Sequence, residues 1–234
     1  MATPGEKLAK SLEKLKAIQD RGLVAIKASD LTRGHRERLV KNGFIREVIK
    51  GWYLVAPHDA QKGDTTFWYS SFWGFCSRYL EDRYGDDYCV SAEQSLMLHA
   101  GNNAVPTQLI IRSSKGNNSP TALLFGTSLF VMKSPLPNVA EIEEKHGIRI
   151  VNLPASIVHS TPSIFTRQAI EVRTALLMIK DASGGYPWTV IPVEERDRYM
   201  NALEDASFGQ DIKPFAKYLA YLVGAGLKGE PIAK

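Results

Sequence analysis

A chain of 234 residues, 44% hydrophobic and 23% charged, fits one or two globular domains and argues against disordered or fibrous architectures. No apolar run reaches the ~18–20 residues of a membrane helix, the polar start MATPGEKLAKSLEKLK is no secretory signal, and two cysteines make neither a disulfide scaffold nor a four-ligand zinc site. The net charge of +4 hides a gradient: residues 1–55 hold twelve Lys/Arg against six Asp/Glu and the remainder is net −2, a balance that suits a polyanion-binding module attached to another body.

From Lys7 to Asp20, Leu8, Leu12, Leu15 and Ile18 fall at helical spacing, and Gly22 ends that helix. Leu23–Ile26 reads as an extended or packed run, and Ser29-Asp30-Leu31 as a brief helical turn. Thr32 is placed to cap a third helix that runs to Asn42, with Gly43 just past its end. Phe44–Val48 and Trp52–Val55 are β-prone runs separated by a short gap containing Gly51, which is a hairpin signal. Three helices and a hairpin within 55 residues is the order of a winged helix-turn-helix, whose third helix enters a major groove.

A wheel at 100° per residue assigns Leu39 and Val40 to the buried face of the third helix and sets Arg38 and Lys41 opposite, with Gly34 on the same exposed side. Arg33 and His35 flank that surface, whereas Arg36 falls on the apolar side and is discounted as a base reader. Arg46 and Lys50 place two cations on the wing, where neutralised phosphates release condensed counterions. The candidate DNA-binding residues are therefore Arg33, His35, Arg38, Lys41, Arg46 and Lys50. The competing reading is that they are ordinary surface charges on a small packing module.

Pro57–Gly63 reads as a linker, giving an N-terminal domain over residues 1–57. Asp64 opens a long helix in which Trp68, Phe72, Phe75 and Tyr79 repeat at helical spacing, a stripe better suited to a core than to base stacking. Ser91-Ala92-Glu93-Gln94 is a capping box for a helix that stops at Gly101. Strand-like runs follow at 109–111, 122–125, 129–132 and 148–151. Thr161-Pro162 starts a helix lined by Ile170, Leu176, Leu177 and Ile179. These elements predict an α+β domain over residues 64–183.

The five histidines, His35, His58, His99, His146 and His159, have no partner at metal-ligand spacing, and no phosphate-cradling glycine motif is present. Ser114–Asn118 reads as a turn between strands. Gly126-Thr127-Ser128 resembles the Gly-Ser step of nucleotidyltransferases, but no Asp-x-Asp follows to hold magnesium. Glu141–Glu144 is an acid cluster read as a solvated loop or helix end. No catalytic residue, metal site or cofactor is assigned.

Asp30-Leu31-Thr32-Arg33, Arg38–Phe44 and Lys50-Gly51-Trp52-Tyr53 resemble the winged-helix region of AbiEi-type antitoxins and related regulators. The likeness extends over roughly residues 5–180 and is best over the first 55. It implies a small DNA-binding winged helix before a larger α/β domain, in a protein that represses its own operon and counters a toxin. Gly185–Glu194, Arg198-Tyr199-Met200, Ala202-Leu203-Glu204 and Ile212–Ala216 are similar to the end of a Fic-family domain, which transfers nucleotide groups to protein hydroxyls. That family's His-Pro-Phe-x-x-Gly-Asn-Gly-Arg motif is missing here, as though the catalytic core were excised near Ser183-Gly184. Residues 184–234 are otherwise expected to be a helical tail, with Tyr199–Leu203 and Phe215–Leu222 as amphipathic helices and Gly224 ending the second.

The expectation is a soluble, cytoplasmic and non-enzymatic transcriptional regulator of antitoxin type. Its partners would be double-stranded DNA, a cognate toxin and, on a palindromic operator, a second copy of itself. The alternatives are a protein-interaction module that neutralises a toxin or client without binding DNA, and a remnant of a Fic nucleotide transferase.

Overall fold

The computed structural model describes residues 3–57, 63–182, 191–209, 211 and 213–227. Contacts divide the chain into two compact units, Met1–Val172 and Arg173–Lys234, and the fold mixes helices with small sheets.

Helix α1 spans Pro4–Gln19 and is opened by Thr3, whose hydroxyl accepts from Glu6 N while the Glu6 carboxylate accepts from Thr3 N. Leu15 and Ile18 are buried, Leu8 and Leu12 half-buried, and Ser11 is fully buried within the same stripe. Strand β1 (Ala25–Lys27), a 3-10 turn over Ala28–Asp30 and helix α2 (Arg33–Lys41) follow. Thr32 is the residue before α2, but its side chain makes no capping bond. Gly43, at φ +76°, closes α2: its N–H donates to Val40 O and the next N–H, of Phe44, to Leu39 O. Strands β2 (Ile45–Ile49) and β3 (Trp52–Val55) complete an antiparallel sheet of order β1-β3-β2.

Leu15, Ile18, Ile26, Leu31, Leu39, Ile45 and Tyr53 form the core between the helices and this sheet. Only Leu39 of α2 is buried, and Val40, expected beside it, is 43% exposed. A nine-residue helix resting on one ridge has room for a single apolar anchor. The sheet also contributes Ala25, Val48, Trp52 and Leu54 to a second, larger core with α3 (Thr66–Tyr84), so the basic module and the middle of the chain share packing. The edge of the Trp52 ring meets Phe75 and Tyr79 at centroid distances of 6.3 and 5.6 Å.

The aromatic stripe of α3 is core: Trp68, Phe72 and Phe75 are fully buried and Tyr79 packs against them. The Trp68 indole N–H donates to Thr127 Oγ1 at 3.1 Å, satisfying the one polar atom it carries inside. Asp64 accepts from Thr66 N at 2.8 Å, and this bond holds its carboxyl below the usual carboxylate range. Beyond α3 come β4 (Cys89–Val90), α4 (Ala92–His99), β5 (Gln108–Ser113), β6 (Pro120–Ala122) and β7 (Ser128–Lys133). The strands form a sheet of order β4-β5-β7-β6, in which β5 and β7 are parallel and the other pairs antiparallel. A hairpin of β8 (Ile142–Lys145) and β9 (Ile148–Val151), then α5 (Leu153–Val158), α6 (Ile164–Arg167) and α7 (Ala169–Ala182), follows.

Several local expectations are corrected. Ser91 makes no capping bond to α4. The Gln94 side chain instead accepts from Ile110 N and donates to Gln108 O, both at 2.7 Å, along the free part of the β5 edge. The run 122–125 is a strand only to Ala122, because Phe125 takes a left-handed conformation (φ +52°) inside a 3-10 turn over Leu124–Gly126. Of Glu141–Glu144, Glu141 does end a 3-10 turn over Val139–Glu141, but the rest is no loop: Ile142–Lys145 is strand β8, with Glu143 and Glu144 exposed while Ile148, Ile150 and Val151 of β9 are buried. Ser114–Asn118 is a turn as expected, and Gly116 lies so close over the β7 backbone that a Cβ would sit 2.5 Å from Lys133 N. On α7, Ile170 and Leu176 are exposed, whereas Val172 and Ala175 are buried.

In the second unit, α8 (Arg196–Ser207) and α9 (Lys213–Leu227) pack through Tyr199, Phe215 and Tyr218, with Arg198 over the Tyr218 and Tyr221 rings. α9 continues through Gly224, which was expected to end it. The Gly185–Val190 part of the Fic-like run lies outside the described residues.

Candidate nucleic-acid interface

Helix α2 is fastened to α1 by a polar cluster. Ser11, with no exposed surface, lies at 2.9 Å from Lys7 O, 2.9 Å from His35 Nδ1 and 3.0 Å from Arg38 Nη1. Arg38 Nη1 is also within 3.5 Å of Lys7 O and of His35 Nδ1. Arg38, expected to project outward with Lys41, is therefore half-buried and turned back onto α1. Gly34 accommodates this fold-back: a Cβ there would meet Arg38 Nη2 at 3.4 Å. The wheel placed Arg38 on the solvent side of α2 alone, and α1 packs along that side.

The remaining cations of α2 behave differently. Arg36 is half-buried, donates to Ala28 O at 3.0 Å and lies over the Tyr53 ring, so it fastens α2 to the sheet. Arg33 is exposed and paired with Glu37 one turn on at 2.7 Å. The hydrogen bond and opposite charge hold the Glu37 carboxyl below its usual range and the guanidinium above its own. Lys41 is exposed and makes no ion pair or hydrogen bond among the described residues.

On the hairpin, Lys50 is likewise exposed and unpaired among the described residues. Arg46 is exposed but its guanidinium lies 5.2 Å from the Phe125 ring centre and 6.0 Å from that of Phe67, against the following region. The six candidates thus divide. His35 and Arg38 meet at Ser11, Arg46 leans on aromatic rings, Arg33 has an acidic neighbour, and Lys41 and Lys50 have no ion pair among the described residues. Ser11 was not singled out from the sequence, although a serine inside the apolar stripe between Leu8 and Leu15 is the signal that would find it.

This division has a measurable consequence for stability. Arg38→Ala removes a charge-assisted bond to a buried hydroxyl and should cost about 1–2 kcal/mol in urea unfolding. Lys41→Ala should stay within about 0.5 kcal/mol of the parent. Equal effects would contradict the fold-back of Arg38.

Elsewhere, among the described residues, no group of three or more His, Cys, Asp or Glu could hold a metal ion, and no helix is long and apolar enough to cross a membrane. Cys76 and Cys89 are buried; burial pushes both thiols up, Cys89 to about 12, which suppresses the reactive thiolate. Compared with known proteins, the chain matches no family model and no curated protein.

Proposed function

We propose that residues 3–57 act as a winged helix-turn-helix that binds double-stranded DNA, with α2 in the major groove and the β2–β3 hairpin as the wing. The observation that carries this reading is one of order and charge together. Helix, strand, short turn, helix and hairpin close into a β1-β3-β2 sheet, and Lys41 and Lys50, exposed and unpaired among the described residues, lie on α2 and at the hairpin turn. This is the element order of winged helices, in which the last helix and the wing flank the phosphate backbone. The net +6 of residues 1–55 supplies the attraction.

On this reading the protein is a cytoplasmic, non-enzymatic regulator of the antitoxin type, repressing its own operon. The rest of the chain would hold a toxin or a second copy. The contacts to expect are Lys41, Lys50 and, once released from Glu37, Arg33; Arg38 acts by holding α2 in place.

Fluorescence anisotropy tests it, using duplex DNA from upstream of the protein's own gene and a scrambled duplex across a salt series. The expected result is affinity for the upstream duplex at least ~10³-fold tighter than for the scrambled one. Log K should fall linearly with log salt at about 0.9 per neutralised phosphate. Absence of binding at low salt would overturn the reading and favour a purely protein-binding module.

A further inference from the structure

The cluster at Ser11 fixes more than the position of a helix. Its hydroxyl has one proton, yet it lies within hydrogen-bond distance of three groups. Lys7 O carries no hydrogen, so two oxygens 2.9 Å apart in a buried place must share the hydroxyl's own proton. The hydroxyl oxygen then offers only lone pairs to its other neighbours. Arg38 donates to one of them at 3.0 Å. His35 Nδ1, at 2.9 Å, must donate to the other; an unprotonated Nδ1 there would set lone pair against lone pair. Neutral imidazole has one N–H, so with Nδ1 protonated, Nε2 is a bare acceptor.

Nε2 has no hydrogen-bond partner among the described residues. Among the described residues the buried side-chain polar atoms without a partner are Arg149 Nε and the Tyr218 hydroxyl. Nε2 of half-buried His35 is not among these fully enclosed atoms. His35 is the third residue of α2, and the N-terminal residues of a recognition helix are those that reach base edges.

We infer that the buried Ser11 hydroxyl locks His35 in its Nδ1–H tautomer, so that Nε2 accepts a hydrogen bond from the exocyclic amino group of a base. The inference rests on the DNA-binding reading for its ligand, but not for the tautomer. In the major groove the amino donors are adenine N6 and cytosine N4; guanine and thymine present oxygen acceptors at the equivalent places and are rejected by a bare nitrogen. Ser11 is a positioning residue and His35 a specificity-determining one.

Long-range ¹H–¹⁵N correlation of the imidazoles in the intact protein, at alkaline pH on the neutral ring, reads the tautomer directly, with His35→Ala assigning the signal. The expected result is an Nδ1–H ring that shifts toward the Nε2–H tautomer in Ser11→Ala. Selection from randomised duplexes should then give the parent a preference for A or C at one position, and His35→Ala should lose it about tenfold. An Nε2–H ring in the parent protein overturns the lock, whatever the DNA result. An Nδ1–H ring with no position-specific loss in His35→Ala overturns the base contact. If the parent binds no duplex, the DNA reading itself falls and the base contact with it, while the tautomer measurement stands separately.

Discussion

Reversing Lys41 and Lys50 together to glutamate is expected to weaken duplex binding by about 100-fold or more near 0.1 M salt, with a salt slope shallower by about two units. Each lysine is exposed and without an ion pair among the described residues, so neither side chain has an internal role to lose. Each reversal both forfeits a phosphate contact and places an anion against the phosphate backbone. The thermal midpoint should move by no more than about 2 °C, since surface changes of about 0.5 kcal/mol shift a domain of this size by little. The informative comparison is Arg38→Glu. It should also weaken binding, but with a clear fall in midpoint, because its guanidinium is tied to Ser11 and α1. Wild-type affinity in the double variant would remove α2 and the hairpin as the DNA face.

The largest effect on stability is expected at Trp68. Its ring has no exposed surface and meets Phe72 and Phe75 edge-on at 5.4 and 5.6 Å. Its N–H donates to Thr127, which itself donates to Leu124 O at 2.7 Å and so closes the turn before β7. Trp68→Ala should cost about 3–5 kcal/mol through the cavity it leaves. At about 2–4 °C per kcal/mol this lowers the midpoint by roughly 6–20 °C. Trp68→Phe keeps much of the volume and loses the donor, and should cost about 1–2 kcal/mol. Differential scanning calorimetry on the three proteins gives both values. A near-native midpoint for Trp68→Ala would mean that α3 does not organise the core.

What the sequence made legible follows from local physics. Periodicity placed α1 and α3 because each buries a stripe, and Gly43 marked the end of α2 because its N–H closes the last turn at positive φ. The β2–β3 hairpin and β5, β7 and β9 were readable as runs of apolar, β-prone residues. Strands β4 and β8 were not: the first is two residues long, and the second is written in acids whose β conformation comes from pairing with β9. The same limit applies to the candidate site. A wheel gives directions about one axis, so it separated Arg36 and Lys41 correctly but could not know that α1 covers Arg38. Ser91-x-x-Gln94 matched a capping pattern, yet the glutamine found a better pair of partners on a strand sixteen residues away.

That glutamine bears on how the molecule behaves in company. Strand β4 covers only Arg112 and Ile111 of β5, and Ser91 N takes Ile110 O. Beyond that point the strand would offer Ile110 N and Gln108 O to any passing chain, an open template for intermolecular strand addition. The Gln94 carboxamide imitates a peptide unit and fills both positions. Helix α4 thus carries a one-residue substitute for a missing strand, which makes its glutamine a guard against aggregation rather than a contributor to the fold alone.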